Sequence, residues 1–191
     1  MFAFTEHLKN EMQVIHLGLS LLETYSSDLT DEKLVPPEDI RLAIYAIQIA
    51  FEETHLAKEE AFLIAKLQSS QVWNALSPTD KNKITKNLED NRKTCKQLLD
   101  LRLFVDKYET KASQLVLLKL FLIEFVSRVT WHLENEIKTT FALADQILTS
   151  IEQKEILQRA LEFGAAYSTG QICKSRLIFN RLRFSRGLPA A

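Results

Sequence analysis

The chain has 191 residues, 46% of them hydrophobic and 26% charged, with a net charge of -1, which is the profile of one soluble domain with a core of its own. That balance gives no global reason to expect nucleic acid or a membrane surface as partner. Two cysteines, Cys95 and Cys173, make no disulfide framework and fit a reducing, cytoplasmic compartment. The start, Met1-Phe2-Ala3-Phe4-Thr5-Glu6-His7, carries charge and no long apolar run, so it does not read as a signal peptide. The greasiest segment, residues 115–126, is interrupted by Lys119 and Glu124 and is too short to span a bilayer.

Only four glycines and four prolines punctuate the chain, so its elements must be few and long. Thr5 can cap a first helix reaching about Tyr25, with Phe4, His7, Glu11, Val14, Gly18 and Leu22 on its inward stripe. His16, nine positions after His7, falls on the opposite side of that helix. Residues 26–37 are polar and end in Pro36-Pro37, which stops one helix and leads into the next. A second helix is predicted from about Glu38 to Gln68, with Ile44, Phe51, His55, Glu59 and Phe62 inward. Ser77-Pro78-Thr79-Asp80 starts a third, whose stripe is Ile84, Leu88, Asn91, Cys95, Leu98 and Val105. A fourth spans about residues 111–149, with Phe121, Phe125, Val129, His132, Glu136 and Leu143 inward. A fifth runs from about Ile151 to Arg183 through Gly164 and Gly170, and meets the basic run Lys174, Arg176, Arg181, Arg183 and Arg186. That run reads as a solvated helix end favoured by the dipole, with a docking surface for an acidic partner or anionic lipid as the alternative. No strand-like alternation of useful length occurs. The expected fold is all-α: an up-down-up-down four-helix bundle over residues 1–150, with an additional C-terminal helix and basic tail over 151–191 packed on it.

His55 and Glu59 stand four positions apart, and so do His132 and Glu136. Four steps of about 100° return a helical side chain to within roughly 40° of its start, so each pair places an imidazole and a carboxylate on one face. Both faces are otherwise apolar. Unpaired buried polar groups cost several kcal/mol, so two such pairs on separate helices imply one shared partner, and a metal ion is the economical one. The ordinary alternative is an i,i+4 polar pair on a wet face. The ferritin-like Glu-x-x-His arrangement occurs once, at Glu52 and His55, and not around His132. Asn91 reads as a core amide, Cys95 as a small buried hydrophobe, and Trp131 and Phe62 as packing that keeps the site dry.

The pattern resembles the hemerythrin-like, or HHE cation-binding, domain family. The residues that carry the resemblance are Glu6-His7 on the first helix, His55-x-x-x-Glu59-Glu60 followed by Phe62, and His132-x-x-x-Glu136 followed by Phe141. It covers roughly residues 1–150. It implies a non-haem di-iron centre with His7, His55, Glu59, His132 and Glu136 as metal ligands, the two glutamates bridging. It also implies a further histidine from the third helix, where this chain has Asn91, in Glu89-Asp90-Asn91-Arg92. An amide is a poor substitute for imidazole at iron, so the ion served by His132 is expected to be the weaker one, unless Glu11 supplies an extra carboxylate.

The expected function is therefore a metal-binding protein with one or two iron ions, binding or sensing dioxygen, a related small oxidant, or iron itself. No acid/base or substrate-binding constellation argues for an enzyme. A second class of function is a metal-free bundle of the same fold that acts as an interaction or regulatory module, with the C-terminal helix meeting a protein partner.

Overall fold

The computed structural model describes residues 4–30, 35–109, 111–167 and 169–189, and no strand occurs among them. The expected linker therefore lies partly outside the described residues, at 31–34, as do Met1, Phe2 and Ala3 and the last two residues of the tail. Helix α1 is Phe4–Asp28. Helix α2 runs without a break over residues 37–67 and contains two wide π-helical stretches, Ile49–Leu56 and Glu59–Ile64. A short α3, Ser70–Ala75, precedes α4, Pro78–Asp106. Helix α5 covers residues 112–147 and has its own π stretch at Ile137–Phe141. Helices α6, Ser150–Tyr167, and α7, Thr169–Ser185, complete the described chain.

The helix starts follow from local chemistry. Pro37 occupies the first turn of α2, where a missing N–H costs nothing. The Ser77 hydroxyl accepts from the Asp80 amide at 3.1 Å, with Pro78 behind it. Thr149 and Glu152 form a reciprocal capping box before α6: Thr149 N–H donates to Glu152 Oε2 at 2.9 Å, and Glu152 N–H donates to Thr149 Oγ1 at 3.3 Å. Inside two of the π stretches, threonines satisfy carbonyls that the widened turns leave available. Thr54 donates to the Ile49 carbonyl at 2.7 Å, and Thr139 to that of Asn135 at 2.7 Å.

Four long helices enclose one core. Helix α1 packs on α2 and α5, and α4 packs on the same two. Phe4, Leu8, Ile15, Leu22, Ile44, Phe51, Ile84, Leu98, Phe125, Val129 and Phe141 are all buried in it. Helix α7 lies along the α1/α2 groove. Its anchor is Phe179, fully buried against Gly18: a Cβ there would lie 2.5 Å from the Phe179 ring and 2.8 Å from Ile47. The small residue on α1 is thus what admits the ring.

The structure corrects several expectations. Thr5 does not cap α1; it lies within the helix, buried, and its hydroxyl donates to Asp145 at 2.8 Å. Phe121 and Trp131 are outward, 39% and 52% exposed, because the inward arc of α5 is already filled by Leu118, Leu122, Phe125, Val129 and His132. Trp131 therefore does not shield the site. The expected fifth helix is helical on both sides of residue 168, as α6 and α7, and residue 168 itself lies outside the described residues. The basic run is not wholly solvated: Arg186 bonds Asp28 at 3.0 Å and lies over the Tyr25 ring, and Lys174 reaches Tyr45. Among the described residues, no helix is long and apolar enough to cross a membrane.

The Gly18–Phe179 contact yields a measurable coupling. Phe179→Ala should destabilise the protein by about 3–5 kcal/mol in chemical denaturation. Gly18→Ala should cost about 1–3 kcal/mol by overpacking, despite better helix propensity. In the Phe179→Ala background the Gly18→Ala cost should shrink, and strict additivity of the two changes would refute the contact.

Candidate functional site

Seven ionisable side chains meet in the core: His7 and Glu11 from α1, His55, Lys58 and Glu59 from α2, and His132 and Glu136, one turn apart, from α5. The two π stretches of α2 hold His55 and open on Glu59, while Glu136 immediately precedes the π stretch of α5. Wide turns of this kind re-aim side chains and recur at functional sites. All of the group except His7, whose side chain is 25% exposed, are buried.

The first half of the group lies between α1 and α2. The Lys58 ammonium pairs with Glu11 Oε1 and stands 3.3 Å from His7 Nε2. His7 Nε2 is 3.2 Å from the same Glu11 oxygen. The other Glu11 oxygen faces His55 Nδ1 at 3.8 Å, and His55 Nε2 contacts Glu136 Oε2 at 3.3 Å. One imidazole thus stands between two carboxylates from different helices.

The second half lies toward α4. Asn87 and Asn91, one turn apart, both aim their amide nitrogens at Glu59: Asn87 donates to Oε1 at 2.6 Å and Asn91 to Oε2 at 3.0 Å. Asn91 also donates to Glu60 at 3.1 Å. His132 Nε2 is 3.9 Å from Glu136 Oε2, beyond hydrogen-bond range, and both His132 ring nitrogens lack a partner. The side-chain oxygens of Asn87 and Asn91 and the hydroxyl of Thr140 are buried without partners as well. Phe51 stacks on His55 and meets His132 edge-on, with centroids 6.5 and 5.8 Å away, and Phe141 closes the far side of His55. Two surface hollows flank the group. One, of about 200 Å³, reaches His7, Glu11 and Lys58 beside Cys173 and Arg176. The other, of about 270 Å³, reaches Asn91 beside Glu60 and Cys95.

Burial and charge act against each other throughout. Burial alone would lower His55, but Glu136 and Glu11 outweigh it and push the imidazole up to about 10. Burial alone would raise Glu11 and Glu136. The nearby His55 imidazolium, the hydrogen bond from His7 and the Lys58 charge nonetheless hold Glu11 well below the usual range, and the His55 charge and hydrogen bond hold Glu136 down. Glu59 goes the other way: burial and the neighbouring Glu136 push its carboxyl far up. Burial dominates at His132 and lowers it. Near neutral pH the Lys58 ammonium and protonated His55 face the ionised Glu11 and Glu136, His132 is neutral, and burial and Glu136 disfavour a charge on Glu59.

The structure brings His55, Glu59, His132 and Glu136 into one buried group and places His7 at its edge; His16 is exposed and takes no part. Sequence reasoning missed Lys58 and Asn87. A lysine beside His55 and Glu59 reads as a solvated residue, and Asn87 could have been found as the residue one turn before Asn91 on the same inward arc. As they stand, no three His, Cys, Asp or Glu side chains among the described residues form a ready-made metal cage. The donor chemistry nevertheless fits an ion in the second half, where an imidazole and two amide oxygens are buried beside two carboxyl groups without partners of their own. Comparison with protein-family models, curated proteins and solved structures found no match for this chain.

The charge balance predicts a definite pH response of the metal-free protein. The folded-state value of His55, about 10, is raised above its ordinary 6.5. Its stabilisation is therefore complete below about 6.5 and is lost as the pH rises through about 10. In chelator-treated samples, the melting-temperature gap between wild type and His55→Gln should narrow steadily across that interval. A constant gap would mean that His55 carries no proton between Glu11 and Glu136.

Proposed function

We propose that the chain is an up-down-up-down, hemerythrin-like bundle that holds one non-haem iron ion and uses it to bind or sense dioxygen or a related small oxidant. The residues that would hold the ion are Glu59, His132 and Glu136, joined by the side-chain oxygen of Asn91 or Asn87. The observation that carries this reading is His132: it is 1% exposed, neutral, and has neither ring nitrogen bonded, although it lies beside Glu136. A buried imidazole without any partner costs stability, and a cation supplies the missing one. Imidazole and carboxylate together suit iron. The bound ion would supply a Lewis-acidic, redox-active centre for a small oxidant. The chain's own contribution is positional. Asn87 and Asn91 orient Glu59, Phe51 and Phe141 keep bulk water away, and the 270 Å³ hollow beside Asn91 gives a small molecule an approach.

A second reading also has an observation of its own. Lys58 and protonated His55 already neutralise Glu11 and Glu136, so the core is electrically closed without a metal ion. On that reading the chain is a metal-free helical module, and α7 with its basic residues is the surface that meets a partner.

Iron content decides between the two. Reconstituted anaerobically with ferrous iron and desalted, the wild type should retain about one ion per chain and gain melting temperature by mass action. His132→Ala should lose the ion while staying helical, and His16→Ala should keep it. Equal iron in His132→Ala and wild type, or none in either, would remove the metal reading.

A further inference from the structure

Lys58 is the one lysine or arginine buried among the described side chains, with 3% of its side chain exposed. A buried ammonium is tolerated only where paired and hydrogen-bonded, and its partners here are Glu11 and His7. His7 is also the first-helix residue that the family resemblance would make a metal ligand. The geometry makes the two roles exclusive. His7 Nε2 and Glu11 Oε1 are 3.2 Å apart, and the ammonium stands against both. An ion held by those two atoms at ordinary ligand distances of about 2.0–2.2 Å would overlap the space the ammonium fills.

We propose that the Lys58 ammonium is a resident cation that takes the place of one metal ion in this core. The half of the group formed by His7, Glu11 and His55 is thereby closed to metal, and any ion binds on the His132 side. This rests on the reading of the second half as an iron site, and it reverses the order expected from sequence, where the ion served by His7 and His55 was the stronger one. The adjacency of Lys58 and Glu59 makes the division possible. Successive helical positions diverge by about 100°, so one turn of α2 sends a positive charge toward α1 and a carboxyl group toward α4.

The test counts ferrous ions retained per chain, anaerobically and after desalting, in wild type, Lys58→Met, His7→Ala and the double variant, with helicity checked by circular dichroism. Lys58→Met should raise the retained iron about twofold over wild type, and adding His7→Ala should return it to the wild-type value. His7→Ala alone should change nothing. The proposal is overturned if wild type already holds two ions, if Lys58→Met holds no more than wild type, or if His7→Ala alone releases the wild-type ion. Should Lys58→Met fail to fold, the wild type and His7→Ala comparison still decides. Iron absent from wild type but present in Lys58→Met, and lost again with His7→Ala, would sustain the role of Lys58 while removing the iron site on the His132 side. Iron absent from all four would remove both.

Discussion

Everything at the centre of this molecule depends on one imidazole held between two carboxylates. His55 contacts Glu136 on α5 through Nε2 at 3.3 Å, and its Nδ1 faces Glu11 on α1 at 3.8 Å. Three helices are thereby tied through a single ring at a depth where an uncompensated charge would be prohibitive. Because His55 carries its proton, both glutamates remain ionised, and the Lys58 ammonium adds a second positive charge against Glu11. Glu59, whose charge burial and Glu136 disfavour, is held by two asparagine amides rather than by a cation.

The backbone around this network is unusual in the same places. His55 lies in one π stretch, Glu59 opens a second, and a third begins directly after Glu136. A wide turn weakens the regular hydrogen-bond ladder, and threonine side chains at positions 54 and 139 make up part of the difference. Helix α7 contributes from outside: with Phe179 seated on Gly18, it covers the α1/α2 groove and brings Cys173 and Arg176 to the rim of the hollow above Lys58.

Much of the helical layout was legible because it rests on local chemistry. Pro37, Ser77 and Pro78 set helix starts that periodicity alone would have blurred, and the four-residue spacing of His55 with Glu59 and of His132 with Glu136 survives into three dimensions. Phases drift where a helix has two apolar sides. Phe121 and Trp131 were placed inward because α5 carries apolar residues almost all round, and only packing against α1 and α4 decides which arc is buried. The π stretches have no periodic mark in the sequence, since each adds a single residue's offset to an otherwise helical pattern. Lys58 was hidden for a different reason: its burial is set by Glu11, a residue 47 positions away on another helix.

In the proposed reading this core holds two cation positions, one of them taken by Lys58 and the other left for iron beside His132. Anomalous diffraction at the iron absorption edge, from crystals of the wild type equilibrated with ferrous iron without oxygen, tests it most directly. A single peak is expected among Glu59, His132 and Glu136, with the Lys58 ammonium still against Glu11. A peak between His7 and Glu11, two peaks of equal strength, or no peak at all would contradict it.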